Sequence, residues 1–269
     1  MRACFTGKKF NIIFDQKKVM KNSLALLLLL AASTCLVQGQ SDEDRLASYL
    51  LRRLGKTGSI ARPIAPGNGS QTVDLSLGLS LLRVASLKES SAEMDVWIQM
   101  FWKDPRLSWD PAEFGGLSQI ALPSDLLWIP DVRPFHAGNY IPDRVSPVRV
   151  VAMSSSDVIY VLPARLRAPC DRLRNQSMSC RPVLGSWVYS GLLLNTTLSS
   201  SPFNIADFEP LAGWDVARAT AKRVETYYDC CPEPYISIKY SLVLNKKRGS
   251  EGKSKGKGKG MPRGEEDDD

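Results

Sequence analysis

Val73-Asp74-Leu75-Ser76-Leu77-Gly78-Leu79-Ser80-Leu81 puts valine or leucine at every second position, with a polar or small residue between. Strict period-two alternation marks a strand with one face buried and the other wet. The pattern returns near the end of the chain, where Ile236, Ile238, Tyr240, Leu242 and Leu244 alternate with smaller or polar neighbours. Between these limits Glu93 to Trp102, Val145 to Met153, Val158 to Leu162 and Gly185 to Leu194 are strand-like, separated by Pro, Gly, Asn and Ser clusters. Many strands without interleaved helices predict a mainly β chain folded as an antiparallel, immunoglobulin-like β-sandwich. One short N-terminal helix is expected. Ser41 can cap it and Asp44 can close a capping box ahead of Leu46, Leu50 and Leu54.

Outside the strands the composition changes. Lys21, an apolar run from Leu24 to Ala32 and small or polar residues up to Gln40 read as a secretory signal peptide, so residues 1–39 form a leader, with Met1 or Met20 as initiator. The apolar run is too short to span a bilayer. Residues 40–246 read as one domain. Residues 247–269, rich in Gly and Lys and ending Glu265-Glu266-Asp267-Asp268-Asp269, cannot build a core and read as a disordered charged tail.

The formal charge of +7 sits at the two ends of the chain. Residues 1–39 hold six basic and one acidic residue, residues 246–269 eight and six, and the segment between them 21 of each. A neutral domain carries no nucleic-acid footprint. The single histidine, His136, leaves histidine-based triads and multi-histidine metal sites little to draw on. The acidic residues are scattered and no glycine-rich phosphate loop organises them. The sequence therefore predicts no enzyme, no metal and no cofactor.

Removing the leader leaves four cysteines in an oxidising compartment, Cys170, Cys180, Cys230 and Cys231. The simplest pairing joins Cys170 to Cys180 and Cys230 to Cys231; two free thiols, or partners elsewhere, are the alternatives for the adjacent pair. A disulfide between neighbours closes a very small ring, so it shapes a loop tip rather than stapling distant segments. Tyr227, Tyr228 and Tyr235 frame that tip. The first pair would stabilise the fold by roughly 3 kcal/mol through the entropy of its closed loop. Sequons at Asn68, Asn175 and Asn195 fit the same compartment. The six tryptophans supply the best cation-binding faces available to a protein.

Taken in order, Trp97-Ile98-Gln99-Met100-Phe101-Trp102-Lys103-Asp104, Leu107-Ser108-Trp109, Trp128-Ile129-Pro130-Asp131, Gly185-Ser186-Trp187 and Tyr228-Asp229-Cys230-Cys231-Pro232-Glu233-Pro234-Tyr235 resemble the extracellular ligand-binding domain of nicotinic Cys-loop receptors. The resemblance covers roughly residues 42 to 246. It implies a sandwich of the Cys-loop receptor type and a pentamer, expected to be a homo-pentamer, with its agonist pocket between neighbouring subunits. By motif position the principal face would use Phe135, Trp187, Tyr228, Cys230, Cys231 and Tyr235. The complementary face would use Trp102, Val151, Ile159 and Val161. Trp97, Trp109 and Trp128 are assigned to the framework, and Tyr189 and Trp214 to neither role. The implied ligand is acetylcholine, nicotine or another quaternary or protonated amine.

Two departures stand out. Phe135 takes the place of the family's usual tyrosine, which keeps the ring and removes a hydroxyl. The loop between Cys170 and Cys180 has nine residues, is charged and carries a sequon, where receptors have a longer apolar loop facing the membrane. With a polar tail in place of a spanning segment, the resemblance is to the soluble acetylcholine-binding proteins. The expectation is a secreted, extracellular capture protein with no membrane span. Two rivals stay open: a family subunit that assembles without binding, and a secreted structural or matrix scaffold whose charged tail is the working part.

Overall fold

In the computed structural model the chain enters through α1 (Asp42–Leu54). Ser41 Oγ accepts from the Asp44 N–H at 3.1 Å, and the Asp44 carboxylate accepts from the Ser41 N–H at 3.4 Å, so the expected capping box forms. Acidic residues fill the first turn and Arg52 and Arg53 the last, as the helix dipole favours. Leu46, Leu50 and Leu54, on one helical stripe, are buried against the sandwich. The structure describes residues 40–65, 67, 69–136, 141–142, 148–174 and 176–247. The expected leader, the sequons at Asn68 and Asn175, and residues 248–269 of the tail lie outside the described residues.

The strands follow in the order β1 (Val73–Leu87), β2 (Ser91–Ser108), β3 (Gln119–Pro123), β4 (Val132–Pro134), β5 (Ile141–Pro142), β6 (Arg149–Met153), β7 (Ser155–Arg172), β8 (Met178–Cys180), β9 (Val183–Ser186), β10 (Leu194–Asn204), β11 (Trp214–Tyr228) and β12 (Cys231–Lys246). One sheet runs β10-β1-β2-β7, with β6 bridging β7 to β3 and β5 along another part of β7. The other is built on β12, which pairs with β11, β8 and β9, and β9 carries β4. Strand β7 joins the two: it pairs with β2 through Pro169 and then with β8 from Cys170. The sandwich is therefore mainly antiparallel, as expected, with one exception. Strands β1 and β10 run parallel, Asp74 opposite Asn195 and Ser76 opposite Thr197.

The alternation read from the sequence survives in the packing. Leu75, Leu77, Leu79 and Leu81 of β1 and Met94, Ile98 and Met100 of β2 are buried, and so are Ile238, Tyr240, Leu242 and Leu244 of β12. Burying each such side chain stabilises by about 1.5–3 kcal/mol. Tyr240 packs edge-on against Phe203 at 5.3 Å, and burial pushes its phenol well above the usual tyrosine range. Cys170 and Cys180 are directly opposed on β7 and β8 and are joined, as are Cys230 and Cys231.

One expected strand breaks. Gly185 to Leu194 is strand only through Ser186; bends and turns follow until β10 starts at Leu194. Ladder pairing cannot continue because side chains have taken the next backbone donors. The Asp131 carboxylate accepts from the N–H groups of Trp187 and Val188, and Ser186 Oγ accepts from that of Tyr189. Asn195, the one sequon within the described residues, donates its side-chain amide to Asp74 at 2.8 Å.

Candidate functional site

Strand β4 delivers the first aromatic residue. Pro134 lies opposite Leu184, and the Phe135 N–H donates to the Val183 carbonyl at 2.9 Å. That turn lays the phenyl ring over Gly185, where a Cβ would stand 2.8 Å from the ring's Cζ. Glycine is required there by close approach, and the space it leaves sets the ring's height. Phe135 then meets Trp187 edge to face, with centroids 6.2 Å apart.

Trp187 is held from behind. Ser186 Oγ donates to Asp131 Oδ1 at 2.6 Å, while Asp131 Oδ2 accepts from the Trp187 and Val188 N–H groups at 3.0 and 2.7 Å. Charge-assisted bonds of this kind are the strong ones. They fix the backbone and leave the indole 68% exposed. Gly191 N–H donates to the Pro234 carbonyl at 2.7 Å and closes the same loop onto β12.

The second aromatic pair sits at the tip of the β11–β12 hairpin. Tyr228 lies opposite Cys231, Thr226 opposite Tyr235, and the joined cysteines form the turn. Tyr228, 52% exposed, meets the half-buried Tyr235 edge-on at 5.6 Å. Two residues beyond Tyr235, Ser237 pairs with Gly185, the residue beneath Phe135. The β9–β12 junction thus brings both aromatic pairs to one edge of the molecule. All six residues expected on the principal face are in this group.

The opposite set lies on strands. Val151 faces Ile159 across β6 and β7; Ile159 faces Phe101 and Val161 faces Gln99 across β7 and β2. Directly opposed residues share a sheet face, so Val151, Ile159, Val161, Phe101 and Gln99 form one outward, half-buried patch.

Trp102, expected on the complementary face with them, stands apart from this patch although it borders a groove with Phe101 and Ile159. It follows Phe101 and so points to the other side of the pleat. It lies opposite Val158, is 4% exposed, and packs edge-on against Trp128 at 6.3 Å. Trp97 departs in the reverse sense. Expected in the framework, it is half-buried on the outward face with Gln99 and Phe101, opposite Pro163 on β7 and Ser80 on β1. The signal was present in the sequence: Met94, Val96, Ile98 and Met100 set the inward parity, and Trp102 shares it while Trp97 does not.

Other aromatic residues fall into place. Trp109 donates its indole N–H to the Leu117 carbonyl, and Trp128 packs on Tyr189 at 6.0 Å. Trp214 pairs with Lys246 at the far end of β11 from Tyr228, and neighbouring Asp215 forms an ion pair with Lys247 there. Among the described residues no group of three or more His, Cys, Asp or Glu is placed to hold a metal ion, and no helix is long and apolar enough to cross a membrane.

Residues 43–248 match the family described as the neurotransmitter-gated ion-channel ligand binding domain. The chain is 28% identical to acetylcholine receptor subunit alpha-like 2 of Drosophila melanogaster over 83% of its own length and 40% of that protein's. It is 31% identical to neuronal acetylcholine receptor subunit alpha-10 of Homo sapiens over 84% of its length and 50% of that protein's. The chain thus spans half or less of these curated relatives. Among solved structures, the acetylcholine-binding protein (AChBP) of Capitella teleta in complex with lobeline superposes with a TM-score of 0.67 at 25% identity, covering 76% of this chain and 98% of that one. The chain belongs to the neurotransmitter-gated ion-channel ligand-binding domain family, with the AChBP fold.

Proposed function

We propose that this protein captures acetylcholine or a related cationic amine, such as nicotine, at the boundary between two copies of itself. The observation that carries the reading is the division of aromatic residues between two separate surfaces of one chain. Phe135, Trp187, Tyr228 and Tyr235, with Cys230 and Cys231, crowd one edge; Trp97, Gln99, Phe101, Val151, Ile159 and Val161 form a strand-built patch elsewhere. Neither surface alone encloses a ligand. Joined head to tail they do, and a heterologous contact that closes makes a ring. A homo-pentamer is the ring this reading adopts.

A quaternary ammonium has a diffuse, weakly hydrated charge that aromatic faces replace at about 0.5–2 kcal/mol per good contact. Trp187 is the principal face, with Tyr228 and Tyr235 closing from the cysteine hairpin as a lid. Trp97 supplies the tryptophan of the complementary side in place of Trp102. The capture involves no bond-breaking, and the binding domain forms no ion path of its own. A secreted setting follows from the leader-like N-terminus and the joined cysteines.

Calorimetric titration of the purified oligomer with acetylcholine and nicotine, alongside Trp187→Ala, tests the reading. Saturable binding that the variant weakens by about thirtyfold supports it. No binding by a well-folded oligomer contradicts it.

A further inference from the structure

Charges in the sheet built on β1, β2 and β7 are matched across its strands. Arg83 and Arg165 flank Asp95 and each donates to it at 2.6 Å; Glu93 lies opposite Arg167, and Lys103 pairs with Asp157 at 3.1 Å. The sheet built on β12 breaks that pattern once. Lys222 of β11 lies directly opposite Lys239 of β12, and no other strand pairing of the described residues sets like charges against each other. Directly opposed side chains share a sheet face, their Cβ atoms about 5 Å apart, and like charges there destabilise. Both lysines are exposed, and neither meets a carboxylate among the described residues.

The pair lies in a groove of about 530 Å³, whose wall also includes Thr220, Ser241, Arg181 and His136. Strand register accounts for the arrangement. Thr220 lies opposite Ser241, two residues along from the lysines, and Val183 of β9 flanks Lys239 on its other side. His136 follows Phe135, whose N–H bond to the Val183 carbonyl brings it to the same wall. Arg181 forms an ion pair with Asp171, so its charge is already met. The charges of Lys222 and Lys239 are not, and among the described residues no carboxylate lines the groove. The groove adjoins the aromatic edge without sharing a residue with it. Lys239 is two residues, about 7 Å, along β12 from Ser237, the partner of Gly185 beneath Phe135.

This inventory selects a ligand chemistry. Two ammonium groups with no counter-charge in the fold call for an anion with several acceptor oxygens. The volume suits a small molecule rather than a lone ion, and the hydroxyls of Thr220 and Ser241 suit a sugar. We propose that the groove is a second binding site that takes a sulfated sugar of an extracellular glycan, with the sulfate held between Lys222 and Lys239. The bound sulfate supplies the counter-charge that the sheet itself lacks.

The test is calorimetric titration of the full-chain oligomer, at fixed ionic strength, with a heparin-derived tetrasaccharide, its desulfated counterpart and inorganic sulfate. The wild type should bind the sulfated tetrasaccharide and neither of the other two as tightly. The double variant Lys222→Gln/Lys239→Gln should bind it about tenfold more weakly, the combined worth of two exposed ion pairs. A control that removes equal charge elsewhere, Lys56→Gln/Lys88→Gln, should bind like the wild type. Without ligand, Lys222→Gln should unfold at a denaturant concentration no lower than the wild type, because it relieves the like-charge contact. No binding of the sulfated tetrasaccharide by the wild type overturns the proposal. So does an affinity that survives the double change, an equal loss in the control, or a desulfated sugar or inorganic sulfate that binds as tightly.

Discussion

Trp187 stands on a loop and Trp97 on a strand, and the two are placed by different physics. Trp187 is 68% exposed because side chains, Asp131 and Ser186, have taken over the backbone donors around it and ended the ladder. Trp97 is half-buried on a strand between β1 and β7, and its direction is set by pleat parity. The loop-built side can move a ring without disturbing the sandwich. On the strand-built side, exchanging neighbouring residues exchanges core for surface. A single step along β2 separates Phe101 in the patch from Trp102 in the core.

Substitutions at the four aromatic positions break or sharpen this contrast. The largest effect belongs to Trp102→Ala, which should lower the stability of the domain by about 3–5 kcal/mol, as for other buried aromatic truncations. Denaturant unfolding measures it; a variant of wild-type stability with impaired ligand binding would return Trp102 to the site. Trp187→Ala should weaken quaternary-ammonium binding by about thirtyfold, the upper worth of one desolvated cation–aromatic contact. Its unfolding midpoint and oligomer size should stay where they are, since its ring packs chiefly on Phe135. Trp97→Ala should weaken the same ligand by about tenfold with only a small stability loss, and unchanged affinity would remove β2 from the complementary side. Smallest is Phe135→Tyr: the added hydroxyl should tighten agonist binding by about threefold, the worth of one ordinary hydrogen bond. Weaker binding would show that the ring over Gly185 has no room for it.

Much of this architecture was legible in the sequence because it is periodic or local. The leucines of β1 and the alternating run of β12 announced a sandwich, and Ser41 with Asp44 announced the helix start. The hairpin of adjacent cysteines flanked by tyrosines announced an aromatic tip, and it carries the Tyr228–Tyr235 pair. The parallel pairing of β1 with β10 was hidden, since no local pattern encodes which distant edge a strand meets. The end of β9 was hidden for a different reason. Gly185 to Leu194 has strand-like composition, and Asp131, more than fifty residues away in sequence, diverts its backbone donors together with Ser186. A motif identifies Trp97 and Trp102; the alternation of Met94, Val96, Ile98 and Met100 decides which one faces out.

The central claim is that each ligand site takes Trp187 from one copy and Trp97 from the next. Mixing refolded or co-expressed Trp187→Ala and Trp97→Ala chains tests it directly, because each variant alone lacks one half of every site. In a ring assembled at random from equal amounts, about a quarter of the boundaries join two intact halves. The account predicts that high-affinity acetylcholine binding reappears at about that fraction of the wild-type stoichiometry. Mixed oligomers that bind no better than either variant alone would contradict it.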